Sequence, residues 1–211
     1  MSYVEFFFRY FHVLAGIVWI GMLYYFNFVQ TEYFKEAEAS AKSDAMAKLA
    51  PRALWWFRWG AMLTFLTGAY LLHKVGALKA PMPAIWVGAL AGTFMFLNVW
   101  LVIWPNQQIV LGMKEGDGPA AAAKAGLASR TNTLFSGPML LGMLGSKHLA
   151  SLSTLVAGTV SNLGLTAAMF IISALELNAL FGGLGPMKSV MGVIHCSLAL
   201  VGVILGVLLF L

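Results

Sequence analysis

Long apolar runs separated by short polar stretches dominate the chain. They extend from about Val4 to Gln30, Ala53 to His73, Ala84 to Trp104, Thr131 to His148, Leu155 to Leu177 and Ser189 to Leu211. Each comes close to the roughly 20 residues a helix needs to cross a hydrocarbon layer about 30 Å thick. The pattern predicts an all-α integral membrane bundle of about six transmembrane helices, forming a single membrane domain over 1–211 with spans at about 4–30, 53–73, 84–104, 131–148, 155–177 and 189–211. Ser136, Gly137 and Pro138 interrupt the fourth run, so five or seven spans are the alternatives, although neighbouring helices tolerate such breaks. The mixed-charge stretch 31–50, rich in helix formers, predicts a helix on the membrane surface, and Pro51 suits the first turn of the next helix.

Composition removes the soluble alternatives. The chain is 60% hydrophobic and 10% charged, against roughly 25% charged in an ordinary soluble domain. The first run is too long for a signal peptide and has neither a basic lead nor a small-residue cleavage pattern, so it is expected to be retained as a span. A single cysteine, Cys196, excludes internal disulfides and cysteine-based metal clusters, and reads as inert packing. The net charge of +5 has no soluble basic face to act through, which excludes nucleic-acid binding.

The charge instead orients the bundle. Lys35, Lys42, Lys48, Arg52, Lys114, Lys124, Arg130 and Lys188 fall on one side of a six-span topology; Arg9, Lys74, Lys79 and Lys147 fall on the other. The richer side is expected to be cytoplasmic, leaving both termini in the periplasm of a bacterial inner membrane. Trp55, Trp56 and Trp59 read as an aromatic belt at headgroup level, with Arg58 snorkelling beside them.

Ionisable residues inside a membrane are costly, and each is a candidate site. Arg9, His12, Gly16 and Trp19 are spaced three, four and three residues apart, on one helical face. A histidine one turn from a glycine leaves room for a flat macrocycle, and an arginine one turn nearer the surface can meet propionates, as a b-type haem requires. The simpler reading is a histidine bonded to a neighbouring helix, with the glycine serving close packing. His148 ends a second small-residue face with Gly142 and Gly145; His73 and His195 are weaker candidate ligands. His12 and His195 would differ in depth by roughly 6 to 12 Å, too far for one haem. Asn98, Asn106, Gln107, Arg130 and Asn132 form an amide-rich group suited to a planar anionic or quinone-like ligand. Helix capping by Ser129 or Thr131 and interhelical bonding explain the same residues equally well. Glu176 reads as reaching the cytoplasmic interface.

The stretches RYFHVLAGIVWIGMLYYFNFVQ, PRALWWFRWGAMLTFLTG, NVWLVIWPNQ and SRTNTLFSGPMLLGM resemble, in order, the membrane domain at the N-terminus of bacterial membrane-bound urate oxidase, also called urate hydroxylase. The resemblance covers residues 9 to about 148. In that family a c-type cytochrome domain follows, and the resemblance implies oxidation of urate with electrons passed to a cytochrome. The present sequence contains no CxxCH, so the resemblance implies a separate c-type cytochrome or a larger respiratory complex as partner. It makes His12 and His148 the expected haem ligands through their place in the matching motifs. A non-enzymatic accessory or assembly subunit is the second reading. A small transporter ranks last, because no repeat of broken helices aligns across the halves.

Overall fold

The computed structural model describes residues 2–74, 83–149, 152 and 162–211. Among these the architecture is entirely helical, as expected: α1 (Tyr3–Glu36), α2 (39–74), α3 (Pro83–Val110), α4 (Gly118–His148), α5 (Asn162–Phe181) and α6 (Val190–Phe210), with a short 3-10 turn at Gly185–Lys188. Among the described residues α1, α3, Leu163–Phe181 of α5 and α6 are long and apolar enough to cross a membrane. The other two long helices, α2 and α4, carry the cations Arg52, Arg58, Lys124 and Arg130. The part of the fifth expected span before residue 162, and Lys79, lie outside the described residues.

Local chemistry sets the helix ends. Ser2 accepts a hydrogen bond from Glu5 N and caps α1. Asp117 accepts from Ala120 N at 3.0 Å and caps α4, so that helix starts a dozen residues before the expected span, and Ser129 and Thr131 are interior residues rather than caps. Gly112, at φ 70°, turns the chain after α3 while Met113 N reaches back to Gln108 O. The expected surface helix at 31–50 is not a separate element. Residues 31–36 continue α1, the chain breaks at 37–38, and 39–49 run directly into α2. Three stretches widen to π geometry, at Tyr25–Gln30, Ala45–Leu49 and Asn98–Ile103. The last directly precedes Trp104 and Pro105, and Pro105 has no N–H to give to an ordinary helical turn.

The chain divides into two compact units, one of Met1–Gly68 with Phe96–Arg130, the other of Ala69–Met95 with Thr131–Leu211. In the first, α1 and α2 approach almost backbone to backbone: a Cβ at Gly60 would lie 3.1 Å from Trp19 N. Small residues allow such crossings in membranes, where apolar burial alone drives no association. Phe26 meets Phe57 edge-on at 5.5 Å, and Phe65 stacks on Phe96 of α3 at 4.2 Å.

In the second unit, Gly142 of α4 crosses Ala84 and Gly88 of α3 so closely that an added Cβ would lie 2.5 Å from Ala84 O and Gly88 N. The small-residue approach to His148 is thus filled by α3 at Gly142 and by Leu152 at Gly145. The interruption at Ser136–Gly137–Pro138 does not break α4. Pro138 has no N–H for the Leu134 carbonyl four residues back, and Ser197 of α6 donates to that carbonyl at 2.9 Å. Gly137 makes the approach possible, since a Cβ there would sit 2.6 Å from Ser197 Oγ.

Candidate functional site

His12 lies on the α1 face that meets α2, and its Nδ1 is 2.9 Å from the Thr64 carbonyl and 3.1 Å from Thr67 Oγ1. A carbonyl can only accept, so Nδ1 carries the proton and donates. The Thr67 hydroxyl spends its own hydrogen on Leu63 O at 2.6 Å. The neutral imidazole therefore keeps its lone pair on Nε2. Gly68 makes room for the ring, because a Cβ there would be 2.9 Å from His12 Cε1. This is the arrangement an axial histidine needs: one nitrogen fixed by a backbone carbonyl, the other available to iron. The donor at this position fits a b-type haem.

The other residues expected at that site are placed differently from one another. Arg9 pairs with Glu5 at 3.0 Å across one helical turn. Gly16 faces Thr64, where an added Cβ would find ordinary contact at 3.9 Å; the glycines under real spatial constraint are Gly60 and Gly68 on α2. Trp19 is buried, and its Nε1 has no hydrogen-bond partner among the described residues. His73, His148 and His195 lie in the second unit and are all exposed. No group of three His, Cys, Asp or Glu side chains gathers among the described residues.

A second polar group in the first unit surrounds the π-helical part of α1. Asn27 is buried and donates to Leu23 O at 2.9 Å and to Ser129 Oγ at 2.8 Å, tying α1 to α4. Beside Ser129, Arg130 is only 6% exposed. Among the described residues, Arg130 Nη1, Gln30 Oε1 and Trp100 Nε1 are buried without partners. Burial lowers the Arg130 pKa from its ordinary value, and the charge of Glu32 pulls it back up. Asn98, in the π turn of α3, is buried and engaged. Trp100 leans on Trp59 at 5.6 Å, and Arg58, expected to snorkel, lies 3.7 Å over the face of Trp104.

Of the amide group read from sequence, Asn98 and Arg130 are buried in this unit. Asn106 is half-buried and donates to Val102 O on its own helix, and Gln107 is half-buried. Asn132 belongs to the second unit and donates to Met95 O at 2.9 Å, a structural bond. Glu176, also in the second unit, is 7% exposed, so it does not reach an interface as expected. Sequence reasoning missed Asn27, Gln30, Thr64, Thr67 and Gly68. A single asparagine inside the aromatic run YYFNF was the available signal for the first. The Thr64 carbonyl left none, because any residue type supplies one.

Chemically, the unit offers a histidine with a free Nε2, a buried cation with an open Nη1, and, elsewhere in the same unit, an open amide acceptor and an open indole donor. A buried guanidinium nitrogen without a partner is costly and is relieved by an anion that can take its hydrogen bond. Residues 79–178 match the family described as urate oxidase N-terminal, in agreement with the resemblance read from the sequence. The match takes in NVWLVIWPNQ and SRTNTLFSGPMLLGM and continues past Leu149, while the two earlier stretches that carry the resemblance lie outside it. No curated protein and no solved structure matches the chain.

Proposed function

From that match to the urate oxidase N-terminal family, we propose that this chain is a membrane redox protein of the bacterial inner membrane. It binds b-type haem and moves electrons from a small substrate or quinol toward a c-type cytochrome or a larger respiratory complex. The observation that carries the reading is the His12 imidazole, anchored through Nδ1 to the Thr64 carbonyl with Nε2 unspent. His12 would hold the haem iron through Nε2. The haem, when bound, supplies one-electron redox chemistry.

The chain's own residues do the rest. Thr64 and Thr67 fix the His12 tautomer and ring plane. Arg130 neutralises an anionic substrate such as urate, with Gln30 Oε1 able to accept an N–H and Trp100 Nε1 able to donate to a ring carbonyl. Asn27 positions this group by holding Ser129, the neighbour of Arg130.

Absorption spectroscopy of the purified protein tests the proposal. A reduced-haem spectrum is expected in the wild type and in His73→Ala, and its loss in His12→Ala. A folded, colourless wild-type preparation would sink the reading.

One observation favours a second reading, a non-enzymatic accessory or assembly subunit. The α6 face carrying His195, Gly202 and Gly206 is open, with no neighbour within 4 Å of an added Cβ at either glycine among the described residues. A polar ring on an uncovered face of a span calls for a protein partner. Co-purification at fixed stoichiometry, without haem or turnover, would establish it.

A further inference from the structure

A groove of about 520 Å³ runs between α1 and α2, lined by side chains that include Phe7, Phe11, Leu14, Val18 and Leu63. A second hollow of about 340 Å³ is lined by Pro51, Arg52, Trp55 and Trp56, and the two share both tryptophans. Along α2 the shared face extends from residue 51 to Thr67. At 1.5 Å per residue that is about 24 Å, most of the roughly 30 Å depth of a hydrocarbon core. We propose that this surface is a binding site for one anionic phospholipid, its acyl chain in the groove and its phosphate at Arg52.

The lining selects the occupant. It contains no histidine to ligate iron, the Thr67 hydroxyl is already donating to Leu63 O, and the remaining lining is aromatic and aliphatic, which suits an acyl chain over a haem. An apolar chain needs no polar partner. At the Arg52 end the charge is available. Lys35 pairs with Glu32, Lys48 pairs with Asp44, and Arg58 covers Trp104. Arg52 is exposed and forms no ion pair among the described residues. Trp55 and Trp56, both exposed, supply the amphipathic rings that favour headgroup depth. One arginine facing an anionic headgroup gives a preference of about fivefold over a zwitterionic one.

The full chain in detergent, titrated with phosphatidylglycerol or phosphatidylcholine and read by native mass spectrometry, tests the site without reference to haem. The wild type is expected to retain phosphatidylglycerol about fivefold more tightly. Arg52→Gln is expected to erase the difference, and Lys124→Gln, exposed on α4, to keep it. Trp56→Ala is expected to weaken both lipids. Equal retention of the two lipids by the wild type would overturn the proposal, as would an unchanged preference in Arg52→Gln or a second polypeptide in place of lipid.

Discussion

The two units handle buried polar groups in opposite ways. In the unit of Ala69–Met95 and Thr131–Leu211, they are spent on the fold: Asn132 on Met95 O, Ser197 on Leu134 O, Ser136 on Thr133 O and Ser146 on Met143 O. In the unit of Met1–Gly68 and Phe96–Arg130, Trp19, Gln30, Trp100 and Arg130 each keep a buried polar atom without a partner among the described residues. Buried polar groups are ordinarily satisfied, because each unsatisfied one costs about 1–3 kcal/mol. The second unit spends its buried polar groups on its own packing, whereas the first keeps bonding capacity unspent.

The contrast can be broken first at the glycine crossing of the second unit. Gly142→Leu drives a side chain into the backbone of Ala84 and Gly88, which cannot move aside as a flexible side chain would. Overpacking at such a point is expected to exceed about 3 kcal/mol and to abolish the folded protein, as followed by size-exclusion chromatography and thermal unfolding in detergent.

In the first unit, Arg130→Met removes a buried charge whose Nη1 has no partner among the described residues. Stability is expected to stay level or rise, while affinity for urate or another planar anion falls at least about tenfold, or about 1.4 kcal/mol, in a binding titration. A drop in thermal stability equal to that of a second-unit mutant would erase the distinction between the units.

Ser197→Ala is the complementary test. It strands the Leu134 carbonyl that Pro138 leaves unpartnered and is expected to cost about 0.6–1.7 kcal/mol in detergent unfolding, with anion binding unchanged. The smallest effect is expected for Thr67→Val. Thr64 O still holds His12 Nδ1, so stability falls by only about 0.5 kcal/mol, and the haem spectrum persists with a shifted band. Complete haem loss in this variant would mean that Thr67, rather than the backbone, fixes the ring.

Much of this molecule was legible in the chain. The six long helices follow from the apolar runs, whereas the interruption at 37–38 inside the expected surface helix does not. The fourth span was expected to pass through Pro138 with help from neighbouring helices, but the group that supplies that help was not legible. The serine that repairs the missing bond is 63 residues away in sequence, and nothing near Pro138 announces it. The His12–Gly16 spacing pointed to the right helix face, but the constraint on the imidazole sits on the partner helix at Gly68.

Apolar runs of membrane-spanning length fix an all-helical chain, because a lipid-facing backbone must satisfy its own hydrogen bonds within the helix. Which polar groups are consumed and which are left over is a matter of pairing between helices distant in sequence. Asn27 with Ser129 and His12 with Thr64 are set by crossing angles and glycine gaps. Only the tertiary structure separates Asn132, spent on Met95, from its near neighbour Arg130, whose Nη1 stays open.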